Sequence, residues 1–162
     1  MDRPRVYIET TIPSAYFDKR TAPEMVARRE ATRRWWGTAG ERFEMVTSSV
    51  VREELERGPL EAKAAWLTLI NDVRVLEIES QIPEIVSAYL KFKLMPPGDA
   101  HHLAFASLYG CEYLLTWNFR HLANPNKSVH IQWMNQRLGL FVPRILAPSE
   151  LLGGDYDGGS NG

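Results

Sequence analysis

Apolar strand segments and amphipathic helices alternate along this chain of 162 residues, and the alternation predicts an α/β fold: a five-stranded parallel sheet with helices on both faces. Two further observations agree with it. The connections between segments are short, and no internal repeat or linker marks off a second domain.

The elements follow in order. RVYIE, residues 5–9, is rich in strand-forming residues and is closed by two threonines and Pro13, which read as a turn. PEMVARREATRRWW, residues 23–36, opens with proline at a first-turn position and Glu24 near the positive end, predicting a long helix. FEMVTSSVV, residues 43–51, begins as a strand and passes through Ser48 and Ser49 into the helical VVREELERG, which Gly58 ends. Pro59 opens PLEAKAAWLTLIND as another helix, and VRVLEI, residues 73–78, is a third strand. IPEIVSAYLKFKL is helical, PPGD punctuates, and DAHHLAFASLYG is a further helix. CEYLLTW is the fourth strand, NPNKSVHIQWMNQRLGL a helix, and VPRILAP the fifth strand. Residues 1–152 are read as one domain, and 153–162, GGDYDGGSNG, as a disordered glycine-rich tail.

Composition narrows the function. One domain of this size buries roughly two-thirds of the surface its unfolded chain exposes. The single Cys111 excludes an intrachain disulfide framework and a multi-cysteine zinc site, and no secretory signal pattern opens the chain, so a cytoplasmic protein is expected. No apolar run approaches the ~18 residues of a membrane span. A formal net charge of −1 argues against a nucleic-acid binder relying on bulk positive charge, so any polyanion must be gripped locally. With no Gly-x-Gly-x-x-Gly and no phosphate loop, nucleotide binding has no support.

In open α/β sheets ligands bind beyond the carboxyl ends of the strands. Four polar residues stand there: Glu9 after the first strand, one of the pair Glu53 and Glu54 after the second, Asp99 opening the helix before the fourth, and Asn118 closing the fourth. Helical geometry separates the pair, with Glu54 about 40° from the apolar direction set by Val50, Val51 and Leu55, and Glu53 about 140° from it. Glu54 therefore points inward. Asp99 lies about 90° from the centre of its own apolar face, at a cleft edge. Converging carboxylates repel unless a divalent cation neutralises them. A hard ion such as Mg²⁺ accepts one or two carboxylates, waters and a substrate phosphate, which predicts metal-dependent phosphodiester hydrolysis.

Each residue also has a simpler explanation: Asp99 as a helix cap, Glu9 as an anion near a helix start, Glu54 as a helix-face charge, Asn118 as a turn residue. Their joint position at strand ends favours the site. Arg28, Arg29, Arg33 and Arg34 form a basic stripe that fits RNA phosphates or an acidic partner, and equally a solvated face. Lys91, Lys93, Arg120 and Lys127 flank the acidic segments as comparable candidates. His101 and His102 are adjacent and do not share a helix face, so a zinc site is not expected.

The runs YIETTIPS, SSVVREELERG, DAHHLAFASLYG and YLLTWNFRHLAN, in this order over almost the whole chain, resemble the PIN-domain nucleases, and among them the VapC-like toxins of bacterial type II toxin-antitoxin pairs. The resemblance implies a three-layer PIN-like fold and an acidic pocket that binds Mg²⁺ or Mn²⁺ and hydrolyses RNA. Glu9 matches the family's first aspartate and Thr10 the hydroxyl residue after it. Glu54 and Asp99 match the second and third acids, while Thr116 and Asn118 match the Thr and the acid of a Thr-x-Asp segment. Glu9 is one methylene longer than aspartate, and Asn118 offers a metal only a neutral carbonyl. As a family implication, Glu9, Glu54, Asp99 and Asn118 hold the metal, Thr10 and Thr116 support it, and the protein binds a small antitoxin near the cleft and forms a homodimer. The missing acid also motivates an alternative: a catalytically weak PIN-like module that binds RNA or a protein partner.

Overall fold

The computed structural model describes residues 3–152, so the tail expected to be disordered lies outside the described residues. Among these, strand β1 (Arg5–Ile8) is followed by helices α1 (Thr11–Tyr16) and α2 (Pro23–Arg42), strand β2 (Glu44–Ser48), helices α3 (Ser49–Glu56) and α4 (Leu60–Leu69), and strand β3 (Arg74–Leu76). Helices α5 (Gln81–Lys91) and α6 (Pro97–Leu108), strand β4 (Tyr113–Leu115), helix α7 (Pro125–Leu138) and strand β5 (Arg144–Leu146) complete the fold.

Two segments differ from the sequence expectation. Residues expected as a turn form α1, because Pro13 falls in the first helical turn, where its missing N–H has no bond to lose. Helix α2 runs six residues past Trp36, through Gly37 and Gly40. Each mid-helix glycine costs about 1 kcal/mol against alanine, but the continued helix buries Ala39 and leads into the buried Phe43.

All strand pairs are parallel, in the order β3-β2-β1-β4-β5. The chain builds outward from β1 to β3, then returns to the other side of β1 with β4. The β1/β4 boundary is therefore the switch point, where a crevice opens between diverging connections. Val6 and Ile8 point into one core with Trp35, Phe43 and Leu115 beneath α1 and α2, while Tyr7 points into the other with Leu114 beneath α3, α5 and α6. The result is three layers, with the period-two alternation of β1 serving both faces.

Candidate active site

Register carries Glu9 to the crevice. Ile8 pairs with Leu115, and the Glu9 N–H donates to the Leu115 carbonyl (3.3 Å), so Glu9 lies beside Thr116 at the carboxyl end of the sheet. There it is buried, at 4% exposure. The Thr116 hydroxyl donates to Glu9 Oε1 (2.7 Å), as do the Thr11 backbone N–H (3.1 Å) and the Thr11 hydroxyl. The Trp117 N–H in turn donates to the Thr11 hydroxyl (2.8 Å), locking α1 to the end of β4. All three donors converge on one oxygen, and Oε2 has no protein donor among the described residues.

Glu54 arrives on α3. The helix is started by Ser48, whose hydroxyl accepts from the Val51 N–H (3.2 Å). As the helical wheel required, Glu53 is exposed and Glu54 half-buried. Glu54 Oε1 accepts from the Thr10 hydroxyl (2.7 Å) and from His102 Nε2 (2.7 Å). Oε2 has no donor. Since a carboxylate only accepts, Nε2 carries the proton; the opposite ring nitrogen, Nδ1, bonds the Tyr7 hydroxyl (2.8 Å), which also bonds Ser48 (2.7 Å). His102 is therefore a fully buried bridge between the sheet and Glu54. The adjacency of His101 and His102 spoke only against zinc; the position of His102 three residues after Asp99, on the buried side of α6, was the available signal for this bridge.

Asp99 sits in the first turn of α6, where the helix dipole favours an anion. Its Oδ1 accepts from Asn118 Nδ2 (3.0 Å), and Oδ2 has no donor among the described residues. Asn118 Oδ1 accepts the backbone N–H groups of Arg120 (3.1 Å) and His121 (3.0 Å), which fixes the amide orientation. The Asn118 carbonyl, the atom expected to face a metal or water, is thus engaged by its own turn.

The electrostatics follow from this arrangement. Burial pushes the Asp99 carboxyl above the ordinary carboxylate range and Glu54 adds to the effect, against the opposing pull of His121, His102 and the Asn118 amide. Burial alone would also raise Glu54; the His102 hydrogen bond and charge, with Thr10, outweigh it and hold that carboxyl low. Full burial would lower His102, but the Glu54 hydrogen bond and the charges of Glu9, Glu54 and Asp99 reverse the sign and hold it above the usual value.

Among the described residues no three His, Cys, Asp or Glu side chains form a close cage for a metal. The donor chemistry nevertheless fits a hard ion that keeps several waters: each of Glu9, Glu54 and Asp99 has one oxygen held by the protein and one without a donor among the described residues.

Two arginines of the basic stripe on α2 also tie neighbouring elements together. Arg29 donates to the Asp18 carbonyl (3.0 Å) and Arg33 to the Tyr16 carbonyl (2.8 Å), tying the end of α1 to α2. Arg28 lies over the rings of Trp117 and Phe119. Lys127 binds the Leu94 carbonyl (2.7 Å) and so anchors α7 to the turn before α6.

The PIN-domain profile matches residues 6–125, well over half of the chain, and the chain belongs to this family of nucleases. Among solved structures it is similar in fold to a toxin-antitoxin complex from Klebsiella pneumoniae (19% identity, TM-score 0.55, covering 75% of this chain and 93% of that one). A second similar structure is VapBC2 from Rickettsia felis bound to a DNA fragment from its promoter (10% identity, TM-score 0.51, covering 88% and 98%). No curated protein matches the chain significantly. Among the described residues no helix is long and apolar enough to cross a membrane.

Proposed function

We propose that the chain is a metal-dependent endoribonuclease and the toxin of a VapBC-like pair, acting in the cytoplasm. The observation that carries this reading is the matched state of the three carboxylates, each held through one oxygen with the other free of donors among the described residues. Glu9, Glu54 and Asp99 would hold Mg²⁺ or Mn²⁺. When bound, such an ion neutralises the acids, lowers the pKa of a water and stabilises charge on the phosphate. The chain's own residues supply orientation. Thr11 and Thr116 fix Glu9, Thr10 and His102 fix Glu54, and Asn118 fixes Asp99 by donating from its amide, so we assign Asn118 a positioning role through Asp99 in preference to direct ligation.

The toxin role is supported by the similarity in fold to proteins solved as toxin-antitoxin complexes, and a small antitoxin protein is the partner it implies. We extend it, as the family resemblance suggests, to a homodimer. A second reading, a weakly catalytic PIN-like module binding RNA or protein, draws on Asn118, whose neutral side chain leaves the pocket one carboxylate short.

Cleavage separates the two. Purified protein is expected to cut RNA in Mn²⁺ and not in EDTA, and Asp99→Ala is expected to abolish the cut. Cleavage that persists in EDTA or in the variant overturns the first reading; binding without any cleavage supports the second.

A further inference from the structure

A cavity of about 130 Å³ opens beside the acidic crevice, lined among others by Thr11, Ser14, Asp18, Arg20, Arg28 and Trp117. It shares a wall with the site, because the Thr11 hydroxyl that holds Glu9 also accepts the Trp117 N–H. Two guanidinium groups border it, and both are compensated: Arg20 by Asp18 (2.6 Å) and Arg28 by Glu24 (2.9 Å). The cavity therefore offers oriented N–H donors with little net charge. Arg28 uses only Nη2 on Glu24, and its remaining N–H groups have no protein acceptor among the described residues. Its guanidinium lies 5.4 Å from the ring centres of both Trp117 and Phe119. Phe119, 43% exposed, directly follows Asn118, so a flat aromatic surface adjoins the catalytic turn.

A phosphate or an acidic side chain gains most from an uncompensated cation. A neutral, planar ligand with hydrogen-bond acceptors on its edge fits a compensated guanidinium flanked by aromatic rings better. Arginine donors pair bidentately with the O6 and N7 acceptors of guanine. We propose that this cavity is a nucleobase subsite for the RNA substrate, in which Arg28 reads the acceptor edge of guanine and Phe119 supplies a stacking surface, selecting the nucleotide beside the cleaved phosphate. The proposal rests on the RNA-nuclease reading for the identity of its ligand.

The test uses the full chain in EDTA, so that binding is read without cleavage, with fluorescent pentaribonucleotides UUGUU, UUAUU, UUCUU and UUUUU. UUGUU is expected to bind about tenfold tighter than UUUUU, the loss expected for one bidentate contact. Arg28→Met is expected to bring the ratio of UUGUU to UUUUU affinity from about ten to about one, whatever the loss of a cation does to both, a base-specific change that a purely structural role would not produce. Phe119→Leu, which keeps an apolar side chain at a 43% exposed position but removes the ring, is expected to weaken all four pentamers. Equal affinities in the wild type, or a guanine preference that survives Arg28→Met, overturn the proposal. So does an acidic pentapeptide that binds tighter than UUGUU through Arg28, which would make the cavity a protein-binding site. Cleavage in Mn²⁺ is scored separately: cutting without base preference refutes the subsite alone, and preference without cutting refutes the nuclease alone.

Discussion

Replacing His102 with leucine removes two hydrogen bonds from one buried point, and their cost can be assigned bond by bond. The bond to the Tyr7 hydroxyl is worth about 1 kcal/mol, since Tyr7 retains Ser48. The bond to the Glu54 carboxylate is charge-assisted and worth roughly 1.5–3 kcal/mol, taken at the low end because Glu54 is a third exposed and keeps Thr10. The expected loss is about 2.5 kcal/mol, a fall in Tm of roughly 5–10 °C for a domain of this size. Urea unfolding in EDTA measures it, with an unchanged m-value. The loss should also depend on pH. His102 is raised, so its contribution is fully present below the ordinary histidine value of 6.5 and is lost as pH rises through the folded value. Glu54 is lowered, so its contribution is present above 4.5 and is lost as pH falls through its folded value. The difference between wild type and His102→Leu should therefore be largest between pH 4.5 and 6.5 and shrink as pH rises through the raised His102 value. A variant within about 0.5 kcal/mol of wild type across this range would refute the bridge as a stabilising element.

Three other outcomes follow from single contacts. Asn118→Asp places a second carboxylate oxygen against Asp99 Oδ1, so metal-free stability should fall by about 1–3 kcal/mol and recover on adding Mn²⁺; urea midpoints with and without the ion check this. Thr32→Val orphans the buried indole N–H of Trp117, which donates to Thr32 at 2.9 Å, and should cost about 1–2 kcal/mol by the same assay. Burial pushes the Cys111 thiol up to about 12, so iodoacetamide at pH 8 should label it only in urea, as mass spectrometry of native and unfolded samples would report.

The sheet and most of its helices were legible because buried parallel strands leave unbroken apolar runs and the helices between them carry proline and glycine punctuation. The inward turn of Glu54 was legible too, since it depends only on helical periodicity. What escaped depends on contacts distant in sequence. Helix α1 hid behind Pro13, and the last turns of α2 hid behind two glycines whose cost is opposed by burial of Ala39 and Phe43. The direction of the Asn118 amide is set by the N–H groups of Arg120 and His121, a feature of turn geometry that residue identity does not encode. The arginine stripe was legible as charge along a helix, but the carbonyls of Tyr16 and Asp18 that engage Arg33 and Arg29 were not.

The central proposal is that Glu9 and Asp99, each with one oxygen free of donors among the described residues, share one ion. Anomalous diffraction from crystals soaked in Mn²⁺ tests it most directly. The account predicts a peak in the crevice with Glu9 Oε2 and Asp99 Oδ2 at coordination distance, roughly 2.0–2.4 Å, and waters completing the shell. A crevice without a peak at millimolar Mn²⁺, or an ion bound elsewhere that touches neither residue, would contradict it.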